Sequence, residues 1–396
     1  MQRNYSYYKN ILAQQSMPLA FVDLDLLDHN IRSVLKRAGN LPVRVASKSI
    51  RCLPLLQYIL QSDDRFQGIM AYHPLEAVKL SQAGLDDILL GYPCYAEQHI
   101  QAVLQEVKRG KKLVFMVDEE QQLLQIERIA RAAQTEARVC MDVDMSTDFP
   151  GLHFGVWRSP LRTVHDVMKL AEVLKRCQFI QLEGIMGYEA QIAGLGDAIK
   201  GAGLKNQVVK ILKKRSVKDL SSRRGAIVQA LKDAGLKPNL VNAGGTGSLE
   251  TSIQEPWVTE VTVGSAFYAP ALFDHYTTFR HQPAAAFALE ITRIPSPGIY
   301  TCQGGGYIAS GEAGVLKQPV PYLPEGMKPI ATEGFGEVQT PVRYNGTEQL
   351  QVGDPLFFRH SKAGELMERF EKVYLIRNGK IAEQVTTYRG AGWCFG

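Results

Sequence analysis

The sequence has no marked excess of either charge: 45 lysines and arginines face 40 aspartates and glutamates, for a formal net charge of +5. Binding of nucleic acid is not expected from that balance, because it asks for a strongly basic domain. A single anionic small molecule held in a local site is compatible with it. Cysteine is scarce and scattered: Cys52, Cys94, Cys140, Cys177, Cys302 and Cys394 form no Cys-x-x-Cys pair and no tight framework. That pattern predicts reduced thiols and a cytoplasmic protein. Long apolar runs are missing as well. The opening MQRNYSYYKNILAQQ has no signal-peptide core, and no stretch approaches the roughly 20 apolar residues of a membrane span, so no membrane association is expected.

What is present is a soluble-type composition, 45% hydrophobic and 21% charged over 396 residues. It suits two domains, one of them large. From Leu41 to about Pro270, short β-branched runs alternate with helical patterns. The spacing predicts strands at Val43–Lys48, Phe66–Ala71, Asp87–Gly91, Lys112–Val117, Ala137–Asp144, Phe179–Tyr188, Asn239–Asn242 and Val258–Val263. Helices are predicted at Pro74–Ala83, Ala96–Val107, Glu119–Ala133, Val164–Arg176 and Arg224–Ala234. Eight such units in this length predict an α/β fold, a parallel (β/α)8 TIM barrel over 41–282, with a doubly wound open sheet as its competitor. The longest connection, about 191–237, reads as an insertion, and its run of nine basic residues from Lys200 to Arg224 reads as a solvated helix face. After Pro283 the texture turns to strand and turn, which predicts a C-terminal β domain over 283–396. Residues 1–40 carry a strand, an N-cap at Asp25 and a helix; the strand is free to join that β domain.

Two features carry chemistry. In Val43-Arg44-Val45-Ala46-Ser47-Lys48, alternation puts Lys48 on the face shared by Arg44 and Ala46, at the C-terminal end of strand one, where barrels build active sites. An ammonium there is costly to bury unless it is paired or converted, for instance into a Schiff base with a carbonyl compound. A barrel-mouth salt bridge is the plain alternative. The second feature is Val241-Asn242-Ala243-Gly244-Gly245-Thr246-Gly247-Ser248, directly after strand seven, with Val263-Gly264-Ser265 ending strand eight. Glycines after a strand let backbone N–H groups approach an anion, and these two loops are where barrels commonly bind phosphate. Either loop alone is equally a tight turn. Together with Lys48 they outline a pocket for a phosphorylated aldehyde such as pyridoxal phosphate.

Over nearly its whole length the chain resembles the fold-type III pyridoxal-phosphate enzymes of the alanine racemase superfamily, within them the D-threonine aldolase and D-serine dehydratase-like group. The motifs that carry the resemblance are PLAFVDLDLLDHNI, RVASKSIR, LDDILLGYP, VDMSTDFPGLHFGV, IMGYEAQ, VNAGGTGS and VGSAFY. The ending GEVQTPVRY…GDPLFFRHSKAGELMERF…TYRGAG is similar to a branch described as amino acid deaminase/aldolase. The resemblance implies Lys48 as Schiff-base lysine, Gly244, Gly245, Thr246, Gly264 and Ser265 around the cofactor phosphate, and Asn242 as a further cofactor-binding residue. It implies Tyr188 beside the ring, an amino acid substrate and a homodimer. Two positions depart from the pattern: His153 stands where relatives have a cofactor-contacting arginine, and Thr262 where an arginine often pairs with the pyridine nitrogen.

Relatives acting on β-hydroxy-D-amino acids bind a divalent metal through His-x-Cys or His-x-Asp; here the run is Phe358-Arg359-His360-Ser361-Lys362. His360 is therefore a structural histidine, an active-site group, or a metal ligand completed by Glu337, Glu365 or Cys394, with Lys362 the alternative source of positive charge. His73, before Pro74, is either a general base or a helix cap. The activity expected is a lyase, by aldol cleavage or dehydration, with Lys48 as the Cα base and His360 or His73 at the β-hydroxyl. A racemase using Tyr307, Tyr344 or Tyr388, and a pyridoxal-phosphate-binding protein without turnover, are the alternatives.

Overall fold

The computed structural model describes residues 3–312 and 314–395. These form two compact units. One comprises the chain up to Ser33, Ser49–Leu56 and Ser265–Cys394; the other comprises Val34–Lys48, Gln57–Gly264 and Phe395.

The second unit is a closed barrel of eight parallel strands in chain order: Val43–Ala46, Phe66–Ala71, Ile88–Pro93, Leu113–Val117, Ala137–Asp142, Ile180–Gly187, Leu240–Ala243 and Glu260–Val263. The last strand pairs with the first, Val261 opposite Val43, so the sheet has no edge and the open-sheet alternative is excluded. Parallel strands are covered on both faces, which is why Leu113–Val117 is apolar and buried at every position. Met70, Leu89, Val114, Met116, Cys140, Met186 and Leu240 pack together from six of the strands. Charge is also present within the barrel: Arg44 Nε donates to Glu260 Oε1 at 2.6 Å, and its Nη2 donates to Asp87 Oδ1 at 3.0 Å.

Several expectations need correction. Asp25 is not the N-cap of the first long helix, Leu24–Arg37. Asp23 Oδ1 accepts from the N–H groups of Asp25 and Leu26, while Asp25 lies within the first turn and pairs with Arg3. The stretch read as an insertion is mostly one helix, Gly203–Asp233, crossing from the sixth strand to the seventh. Its basic residues are not uniformly solvated: Lys213 and Arg224 are buried, and Arg224 is fully so.

The other unit is built on a nine-stranded sheet. The N-terminal strand Leu19–Asp23 lies within it, antiparallel to Ala285–Ser296 and parallel to Lys372–Arg377. An aromatic cluster of Tyr5, Tyr8, Phe21 and Phe357 packs on this strand. The unit's C-terminal portion begins at Ser265 rather than at Pro283, since Ala284 N–H already bonds Tyr268 O at 3.2 Å.

Candidate active site

The first barrel strand ends at Ala46, and a single 3-10 turn, Ser47–Ser49, carries Lys48 at the C-terminal end of the barrel. Lys48 Nζ donates to Tyr92 Oη at 3.3 Å. Tyr92 stands near the end of the third strand, following Gly91, where a Cβ would come within 3.1 Å of Met70 Cγ. Arg158 approaches from the segment after the fifth strand. Its Nε donates to Asp142 Oδ2 at 2.6 Å and its Nη2 to Gly91 O at 2.9 Å. Its guanidinium lies 5.0 Å from the Tyr92 ring centroid and 5.9 Å from that of Tyr188. Burial disfavours the Arg158 charge, but the Asp142 carboxylate more than restores it, and the guanidinium pKa is raised. Burial pushes Asp142 up to about 6 despite Arg158.

The glycine loop after strand seven is held from behind. Glu189, following Tyr188, accepts from Gly244 N–H at 3.0 Å and from Ser248 Oγ at 3.3 Å. Glu189 is itself paired with the buried Arg224, which also pairs with Glu255. Gly244 has φ +84°, a left-handed conformation that favours glycine. Gly245 is required for a different reason: a Cβ there would lie 2.8 Å from Ala193 Cβ and 2.9 Å from Tyr188 Cε2. Asn242 Nδ2 donates to Glu260 Oε1 at 2.6 Å and to Thr262 Oγ1 at 2.7 Å. The Thr262 oxygen thus accepts, and its own hydrogen is left to donate elsewhere.

Lys48, Tyr92, Arg158, Asp142 and Tyr188 thus form one linked group. His153 makes none of these contacts. It lies on a small hairpin, its Nδ1 2.7 Å from Asp148 Oδ1 and its ring stacked 4.0 Å from Trp157. The arginine at the barrel mouth is the half-buried Arg158, five positions on, which sequence reasoning missed; its signal was the single arginine in Gly155-Val156-Trp157-Arg158-Ser159. His73 takes the capping role: its Nδ1 accepts from Leu75 N–H at 3.1 Å, with Pro74 opening the helix. Phe395 stacks on its ring at 5.7 Å.

In the other unit, Ser265 Oγ is 3.4 Å from Ser49 Oγ. His360 is buried there, and neither ring nitrogen has a hydrogen-bond partner. The surroundings do not fit a metal. Two residues on, Lys362 Nζ donates to Ser310 O at 3.4 Å, and Glu365 is bonded to the Ser310 N–H and hydroxyl. Among the described residues no three His, Cys, Asp or Glu side chains cluster as a metal site would require. Burial, aided by Arg359, pushes the His360 imidazolium pKa down to about 3. In the unfolded chain a histidine titrates near 6.5, so between about pH 6.5 and about pH 3 only the unfolded state holds the proton. His360 therefore supports stability above about pH 6.5 and withdraws that support as the pH falls. Melting temperatures across this window are expected to fall less steeply for His360→Leu than for the unchanged protein.

A lysine at the mouth of a closed parallel barrel thus stands beside an arginine and tyrosines, within the same unit as a pinned glycine loop, and the class these define is an eight-stranded parallel barrel of the alanine racemase type. The chain belongs to the alanine racemase family, whose N-terminal domain model matches residues 22–271. It is 22% identical over 256 residues to the 3-hydroxy-D-aspartate aldolase of Paracoccus denitrificans strain Pd 1222, a match spanning 64% of this chain and 60% of that enzyme. Its fold is that of D-threonine aldolase from Filomicrobium marinum, with TM-score 0.80 and 18% identity over 96% of both chains. D-threo-3-hydroxyaspartate dehydratase from Delftia sp. HT23 gives TM-score 0.74 and 18% identity, over 95% of this chain and 98% of that one. A D-threo-3-hydroxyaspartate dehydratase variant in the metal-free form has the same fold, with TM-score 0.74 and 18% identity over 95% of this chain and 98% of that one. Among the described residues no helix is long and apolar enough to cross a membrane.

Proposed function

We propose that the chain is a pyridoxal-phosphate-dependent lyase of β-hydroxy-D-amino acids, working as a cytoplasmic homodimer. The observation that carries the reading is Lys48 at the end of strand one, linked through Tyr92 to Arg158 and Tyr188. The three relatives support the substrate class, since each is named for a D-amino acid with a hydroxyl at Cβ. The donor set suits the cofactor. Lys48 would supply the amine that holds it, Gly244, Gly245, Thr246 and Gly264 would bind its phosphate, and Tyr188 and Arg158 would lie beside its ring. When bound, such a cofactor withdraws electrons from the Cα of an attached amino acid.

The protein's own groups serve either dehydration or cleavage. In dehydration Lys48 Nζ would take the proton from Cα, and the β-hydroxyl would leave as water with a proton drawn from solvent. In Cα–Cβ cleavage the same lysine protonates Cα after the aldehyde departs. Thr262 would offer the ring nitrogen a neutral hydroxyl donor, and the electron demand on Cα would then be milder than a cation would impose. No step runs through a metal.

Incubation with D-threonine, D-serine and both 3-hydroxy-D-aspartate diastereomers is the direct test. Aldehyde plus glycine indicates cleavage, and a keto acid plus ammonia indicates dehydration. Products of neither kind, with inversion at Cα in deuterated water, would replace the lyase by a racemase.

A further inference from the structure

We propose that Tyr92 is a catalytic residue, the group that clears the proton collected by Lys48 and passes it to solvent. The inference rests on the lyase reading and assigns a role to a side chain that neither the glycine loop nor the lysine motif singles out.

The geometry places the phenol between two cations. Its oxygen is 3.3 Å from Lys48 Nζ, the same ammonium is 5.7 Å from the ring centroid, and the Arg158 guanidinium is 5.0 Å from it. Arg158 is anchored on Asp142 and Gly91 and is not free to swing away. Tyr188, directly after strand six, is a further titratable neighbour, and Asp142 and Asp118 act on Arg158. Burial raises the phenol's pKa, but Lys48 and then Arg158 overcome it, and Tyr92 sits below the ordinary tyrosine value. The other described tyrosines with a resolved shift (Tyr5, Tyr7, Tyr8, Tyr188, Tyr268, Tyr307 and Tyr322) all move the opposite way. Tyr92 is also 43% exposed, so one end of it meets water.

Chemically, a lysine that removes the Cα proton becomes an ammonium and must be discharged before the next turnover. The Tyr92 phenolate accepts that proton: one N–H bond of Lys48 breaks, an O–H bond forms on Tyr92, and ammonium plus phenolate become amine plus phenol. The exposed oxygen then releases the proton to solvent. Nothing is oxidised or reduced, and no further reactant is needed.

Tyr92→Phe tests this with two measurements. Ultraviolet titration of the cofactor-free protein is expected to show one phenol ionising below the ordinary range, and the variant is expected to lose that component. In the cofactor-loaded enzyme the variant is expected to lose about 10²-fold in kcat with little change in KM, and to lose the acidic limb of its pH profile. Tyr92→Phe removes only a hydroxyl from an exposed ring, so the fold is not at stake. An unchanged pH profile and rate, with the cofactor's visible band intact, overturns the role of Tyr92 and leaves the lyase reading standing. A phenol missing from the variant's titration in the ordinary tyrosine range, rather than below it, also overturns it. Absence of any cofactor band in the unaltered protein overturns both.

Discussion

Lys48→Ala protein is expected to show no visible absorption band with added pyridoxal phosphate and to lose activity by about 10³-fold or more. The size reflects two duties falling on one atom. Lys48 Nζ is the amine proposed to hold the cofactor, and it is also the base that moves the Cα proton. Lys48→Arg separates these duties from plain charge. A guanidinium keeps the positive charge beside Tyr92 but is always protonated, so it neither forms the covalent link nor accepts a proton. The arginine variant is therefore expected to be as inactive as the alanine variant and equally colourless. A visible band surviving in Lys48→Arg would reduce Lys48 to an electrostatic role. Neither change strands a buried charge, since Lys48 is only half-buried, and far-ultraviolet circular dichroism should be unaltered.

The eight barrel strands were legible because parallel strands covered on both faces are written as short runs of β-branched and aliphatic residues separated by helical periodicity. Phe66–Ala71 is recovered residue for residue, and the other seven differ only at their ends. Lys48 was legible through alternation, and the glycine loop through its place after strand seven. Tyr92 and Arg158 were not, because each is a single residue in irregular or terminal backbone, and no periodicity marks which way it points. Arg224 was misread for a sharper reason. A run of lysines and arginines looks the same whether it faces water or a carboxylate, and Glu189 lies 35 positions away. Only the fold brings the two together. The missed helix Tyr5–Leu12 did carry a local signal, since Asn4 caps it by accepting from Tyr7 N–H at 3.0 Å.

That buried arginine carries the largest expected stability effect. Arg224 is 0% exposed and neutralises Glu189 and Glu255, which are themselves 2% and 7% exposed. Arg224→Met fills similar space but leaves two carboxylates without their cation, at a cost of about 3–5 kcal/mol. Glu189 cannot simply turn to water, because it also holds Gly244 N–H, Ser248 Oγ and Ser252 Oγ. Urea unfolding is expected to show the deficit at neutral pH. The triple variant Arg224→Met, Glu189→Gln, Glu255→Gln leaves no buried charge, and is expected to recover most of it. The pH dependence has a definite sign. Burial already raises the Glu255 pKa above its unfolded value, with Arg224 partly offsetting the rise, and removing Arg224 raises it further. A carboxyl raised in the folded state favours folding when protonated and loses that advantage as the pH climbs through the folded pKa. The Arg224→Met deficit should therefore shrink as the pH is lowered toward that value and reopen above it. A deficit under about 1 kcal/mol, or one that does not change with pH, would mean that packing around Arg224, rather than its charge, holds this side of the barrel together.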